Sequence, residues 1–83
     1  MTPMDHISLI LVNYNSADLT QMCLKSLQNL VAEEFTYSII IVDNASKKPL
    51  KLPKNLDQDH VTVIRSESNL GFTGGNNLGV TYA

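Results

Sequence analysis

At 83 residues the chain has room for one small domain, which buries only roughly 60 to 65% of the surface its unfolded form exposes, so its stability margin is narrow. A formal net charge of −2 with 17% charged residues suits a globular core and excludes the basic footprint of a nucleic-acid binder. The single cysteine, Cys23, rules out an internal disulfide or a cysteine metal site and fits a reducing compartment.

The N-terminal MTPMDH carries an acid, and the apolar run after it, ISLILV, is only six residues long, far short of a membrane span and without the pattern of a signal peptide. Rich in β-branched residues, that run predicts a strand over 6–13 that stops at NYNS. Leu19, Met22, Cys23, Leu27, Leu30 and Val31 then recur at spacings of three and four, predicting a helix over 17–32 with these residues on one apolar face and Ser16 or Asp18 as its cap. YSIIIV, ended by DNAS, predicts a second strand over 37–43, and VTVI a third over 61–65. Between them KKPLKLPKNLDQDH, with two prolines and four lysines, reads as a polar loop with at most one helical turn. Residues 68–83, SNLGFTGGNNLGVTYA, hold all four glycines and no charge. They predict a loop in which Gly71, Gly74 and Gly75 bring backbone close to a ligand, then a helix starting near 73–76.

Strand, helix, strand with runs apolar on both faces implies an α/β fold with a parallel, Rossmann-like sheet of three strands and about two helices. Ligands of such sheets bind beyond the carboxyl ends of the strands. Three polar clusters are predicted there, facing one crevice: Asn13, Tyr14, Asn15 and Ser16; Asp43, Asn44 and Ser46; and Asn69 to Asn77. Each cluster alone is also what an ordinary turn is made of. A flavodoxin-like or receiver-type domain shares the pattern, although a receiver would place acids where this chain has Asn13 and Asn15. Gly74 to Thr81 has the spacing of a Walker phosphate loop but Val80 where the lysine belongs, and the dinucleotide fingerprint of three spaced glycines is absent. His6 and His60 read as surface or strand-edge residues, and the lysines at 47, 48, 51 and 54 as a solvated loop. The sequon Asn44-Ala45-Ser46 matters only in a secreted protein.

LILVNYNSADLTQMCLKSL, IIIVDNAS and SNLGFTGGNNLGVTYA, in that order and spacing, resemble the first half of the nucleotide-sugar domain of family 2 glycosyltransferases, the inverting GT-A group, and within it bacterial rhamnosyltransferase-like enzymes. The resemblance implies a UDP-sugar or dTDP-sugar donor, with transfer of a hexosyl or rhamnosyl group to a glycan or lipid-linked acceptor. Val12 and Tyr14 would wall the base, Asp43 or Asn44 would hydrogen-bond it, and Asn69, Gly71, Asn76 and Asn77 would pass beside nucleotide and sugar. It also implies a cytoplasmic enzyme, peripheral at the inner face of a membrane, that uses Mg²⁺ or Mn²⁺ held by a later acidic motif, and a later catalytic base. Neither motif nor base falls within these 83 residues, so the chain is expected to be a partial domain that holds no metal, transfers no sugar by itself and self-associates through surface the rest would cover. A non-enzymatic module whose Asn and Gly loops contact a protein is the alternative from a different class.

Overall fold

The computed structural model describes residues 5–28, 35–52 and 60–83, in the order β1 (Asp5–Asn13), α1 (Ala17–Gln28), β2 (Phe35–Asn44), β3 (Val61–Ser66) and α2 (Gly71–Thr81). The three apolar runs become three parallel strands in the order β1-β2-β3. The register runs unbroken from Asp5↔Phe35 to Asn13↔Asp43 and from Ile39↔Val61 to Asn44↔Ser66. The expected parallel α/β sheet is therefore present, each strand within two residues of its predicted bounds.

Alternation along the strands sorts the core into two layers. Leu9, Leu11, Ile39 and Ile41 meet Leu24 and Leu27 of α1, together with Leu50 from the connection after β2. Ile10, Val12 and Val42 point the other way, against Gly75 and Gly79 of α2, so the helices cover opposite faces. Burial is deepest on the central strand, where Ile39 to Val42 are all buried, whereas Ile7 to Val12 on the edge strand β1 are only half-buried.

Both helices depart from the sequence-based expectation. In α1 the packed face is Ala17, Thr20, Leu24 and Leu27, whereas Leu19, Met22 and Cys23 are exposed. At 100° per residue that predicted stripe is turned by roughly 90° from the buried face, so α1 carries two apolar stripes and the sheet covers one. Residues 29–32 of the predicted helix, with Leu30 and Val31, lie outside the described residues. Helix α2 begins at Gly71, ahead of the predicted 73–76, so Gly74 and Gly75 are not in a ligand-facing loop. A Cβ on Gly75 would stand 2.9 Å from Val12 Cγ1, and one on Gly79 2.6 Å from Ile10 Cγ2. These glycines let the helix lie close on β1 and β2.

The connection after β2 is less polar than predicted, because Leu50 is buried and Leu52 packs beside it; residues 53–59 of that loop lie outside the described residues. His6 sits at the strand margin, its ring nitrogens 2.7 Å from Thr36 Oγ1 and 3.1 Å from Ser38 Oγ, and His60 lies against the Tyr37 ring. No helix among the described residues is long and apolar enough to cross a membrane.

Candidate functional site

Strand register places Asn13, Asp43 and Arg65 side by side at the carboxyl ends of the three strands. The Asp43 carboxylate is buried, with 1% of its surface exposed, and every acceptor position on it is filled. Oδ1 accepts from Asn13 Nδ2 at 3.2 Å and Ser46 Oγ at 2.5 Å; Oδ2 accepts from Leu50 N at 2.8 Å and Arg65 Nη1 at 2.9 Å. The second guanidinium arm, Nη2, donates to Ser46 O. Burial alone would push the Asp43 carboxyl up, but hydrogen bonds from Ser46, Leu50 N and Asn13, with Arg65 alongside, outweigh it and hold the group below its ordinary 3.8.

Asn13 extends this layer toward α1. Its Oδ1 accepts from Thr20 Oγ1 at 2.6 Å and Ser16 Oγ at 3.3 Å, and its Nδ2 also reaches Ser46 Oγ at 3.1 Å. Ser16 holds the N-cap position, its carbonyl accepting from Thr20 N, with its hydroxyl turned back to Asn13. Asn15, in the left-handed region at φ 51°, donates its N–H to Ser46 Oγ and accepts from Lys47 N, which ties the β1 loop to the β2 loop. An open cleft of about 680 Å³ lies over this seam, lined by Asn13, Asn15, the Ser16–Leu19 turn, Ser46, Lys47 and Lys48.

One residue further along β2, the opposite face is organised by Asn44. Its Nδ2 donates to Asn69 Oδ1 at 3.1 Å and Gly71 O at 3.0 Å, and its Oδ1 accepts from Leu70 N at 2.8 Å. Asn69 Oδ1 also accepts from Gly71 N at 2.8 Å, so two side chains take up the N–H groups at the start of α2. Gly71, at φ 73°, needs its glycine there. With Asn44 buried and both amide hydrogens engaged, the sequon cannot serve as a glycosylation acceptor in the folded chain.

The predicted single crevice is therefore two surfaces. Asp43 lies on the α1 side of the sheet; Val12, Asn44, Asn69, Gly71 and Asn76 gather on the α2 side. Tyr14 stands at the tip of β1, 48% exposed, between two cleft-lining residues, and Asn77 is exposed on α2. Arg65 was not among the predicted site residues, although it is the chain's single arginine and directly follows the third apolar run. Among the described residues no three His, Cys, Asp or Glu side chains come together to hold a metal, and Asp43 is committed to Arg65. The residues present do not fit a divalent ion.

Residues 8–83 match glycosyl transferase family 2. The chain is 32% identical over 82 residues to the low-salt glycan biosynthesis hexosyltransferase Agl10 of Haloferax volcanii. That alignment covers 99% of this chain and 24% of the relative, so the chain spans about a quarter of its length.

Proposed function

We infer that this chain, which belongs to glycosyl transferase family 2, is the nucleotide-binding part of an inverting enzyme that moves a hexosyl group, rhamnosyl included, from a UDP-sugar or dTDP-sugar to a glycan or lipid-linked acceptor. The observation that carries this reading is the exposed Tyr14 ring at the carboxyl end of β1. A flat pyrimidine can stack on such a ring, a contact worth about 1 to 3 kcal/mol. The base also offers an N3–H that needs an acceptor. Asp43 has no acceptor position left, whereas Asn44 Oδ1 holds one hydrogen bond, from Leu70 N, and a carbonyl oxygen can take two. We therefore assign the N3–H to Asn44 and make Asp43 a positioning residue that fixes the strand ends. Val12 supplies apolar contact, and Asn69, Gly71, Asn76 and Asn77 flank the nucleotide and sugar. A carboxylate held ionised against Arg65 is a poor general base, so the 83 residues are expected to bind without turnover.

Titration of the chain with UDP, dTDP, ADP and GDP tests this. The expected result is a preference for the pyrimidine nucleotides that Tyr14→Ala weakens about 5- to 150-fold. The same preparations, given UDP-sugars and dTDP-sugars with Mn²⁺, should release no nucleoside diphosphate above a protein-free control. Equal weak binding of all four nucleotides, unchanged by Tyr14→Ala, would leave the protein-interaction module as the better reading.

A further inference from the structure

Tyr14, the ring assigned to the base, is 48% exposed, so its placement rests on the backbone that carries it. That backbone is tied across the strand pair by a single hydroxyl. Buried Ser46 accepts through Oγ from Asn13 Nδ2 at 3.1 Å and from Asn15 N at 2.9 Å, the residues immediately before and after Tyr14, and donates to Asp43 Oδ1. A serine hydroxyl has one donor and two acceptor positions, so Ser46 is saturated. Through Asp43 the same hydroxyl is connected to Arg65 on β3.

Asn15 adds a second tie. Its Oδ1 accepts from Lys47 N at 2.8 Å, so this one residue both donates to and accepts from the loop after β2, 31 and 32 positions further along the chain. Its φ of 51° lies in the left-handed region, where glycine, asparagine and aspartate sit with least strain. Glycine would satisfy that backbone as well. Asparagine and aspartate also carry an acceptor that can reach the Lys47 N–H. Asn15 is exposed, so the residue is selected here for what it ties together and not for core packing.

We propose that Asn15 is a positioning residue, anchored on Ser46 and Lys47, that holds Tyr14 as a fixed platform for the base. The inference rests on the reading of Tyr14 as the stacking partner. A ring held in place before the ligand arrives avoids the cost of being ordered by it, which for one side chain amounts to about 2- to 12-fold in affinity. Glycine at position 15 would keep the left-handed turn and the N–H to Ser46. It would drop the tie to Lys47 and widen the range of φ open to the loop, so the ligand would have to order Tyr14 itself.

Titration of the 83-residue chain with UDP and with uridine, combined with NMR relaxation of the Tyr14 amide in the absence of ligand, tests the proposal. Asn15→Gly should weaken both ligands about 2- to 12-fold and lower the Tyr14 order parameter from about 0.85 toward 0.6. Its melting temperature should stay close to that of the parent, because the lost hydrogen bond and the relieved backbone strain oppose one another. Asn15→Asp keeps the acceptor and tolerates the left-handed turn, so it should hold Tyr14 rigid and bind uridine as the parent does; uridine carries no phosphate for the new carboxylate to repel. Parent-like uridine binding by Asn15→Gly would overturn the proposal, as would an Asn15→Asp chain as weak as Asn15→Gly. If Tyr14→Ala leaves uridine binding unchanged, the stacking reading fails, and the order parameter alone then decides the positioning role: a Tyr14 as rigid in Asn15→Gly as in the parent overturns it.

Discussion

Replacing Asp43 with alanine is expected to lower the unfolding free energy by about 3 to 5 kcal/mol, because it leaves a buried network without its central acceptor. Arg65, Asn13, Ser46 and the Leu50 N–H would all lose a partner at once. A domain of this size has a total stability of roughly 4 to 12 kcal/mol, so the variant should lose about a quarter or more of it. Urea denaturation followed by circular dichroism measures the loss; a change under about 1 kcal/mol would show that the carboxylate is not the clamp described above. The same group sets a pH dependence of definite sign. Its folded pKa lies below 3.8, so its contribution is fully present above the unfolded carboxylate value of about 3.9 and is lost as pH falls through the folded value. The stability gap between the parent chain and Asp43→Asn should therefore be constant near neutrality and shrink as the pH falls below about 5.

Gly79→Val is expected to cost about 3 kcal/mol, although valine is the better helix former. The added Cβ would stand 2.6 Å from Ile10 Cγ2 and 3.3 Å from Val42 Cγ2, and both neighbours are branched side chains on paired strands with little room to move. For a chain this size the loss corresponds to a fall in melting temperature of roughly 12 to 24 °C. Val80→Ala, one residue away on the exposed face, should stay within about 0.5 kcal/mol. Equal melting temperatures for the two variants would mean that α2 can lift from the sheet without penalty.

The strands were legible because each is a short apolar run, the first two ended by Asn13 and Asp43, and such runs have few other uses. The start of α2 was not, since Gly71 to Gly75 carry the composition of a loop. Only the packing of Gly75 and Gly79 on Val12 and Ile10 shows that these glycines serve helix–sheet contact. Periodicity in α1 located an apolar stripe but could not say which of two stripes meets the sheet. The polar clusters at the strand ends were visible as clusters, while their division between two faces depends on register, which alternates with each residue. Arg65 could be joined to Asp43 only after β3 was aligned on β2.

The Asp43 clamp also bears on the order of events in folding. Ser46 and the Leu50 N–H are local, but Asn13 lies 30 residues upstream and Arg65 22 downstream, so no local segment can complete it. Parallel pairing already requires distant segments to meet, which puts chains of this kind among the slower folders of their size. A carboxylate that left water before its partners arrived would be buried unpaired, so the network should close after the barrier is crossed. Asp43→Asn is then expected to speed unfolding while leaving the refolding rate almost unchanged. Stopped-flow measurement in urea would show this as a shift confined to the unfolding limb, whereas slower refolding would place the clamp in the nucleus.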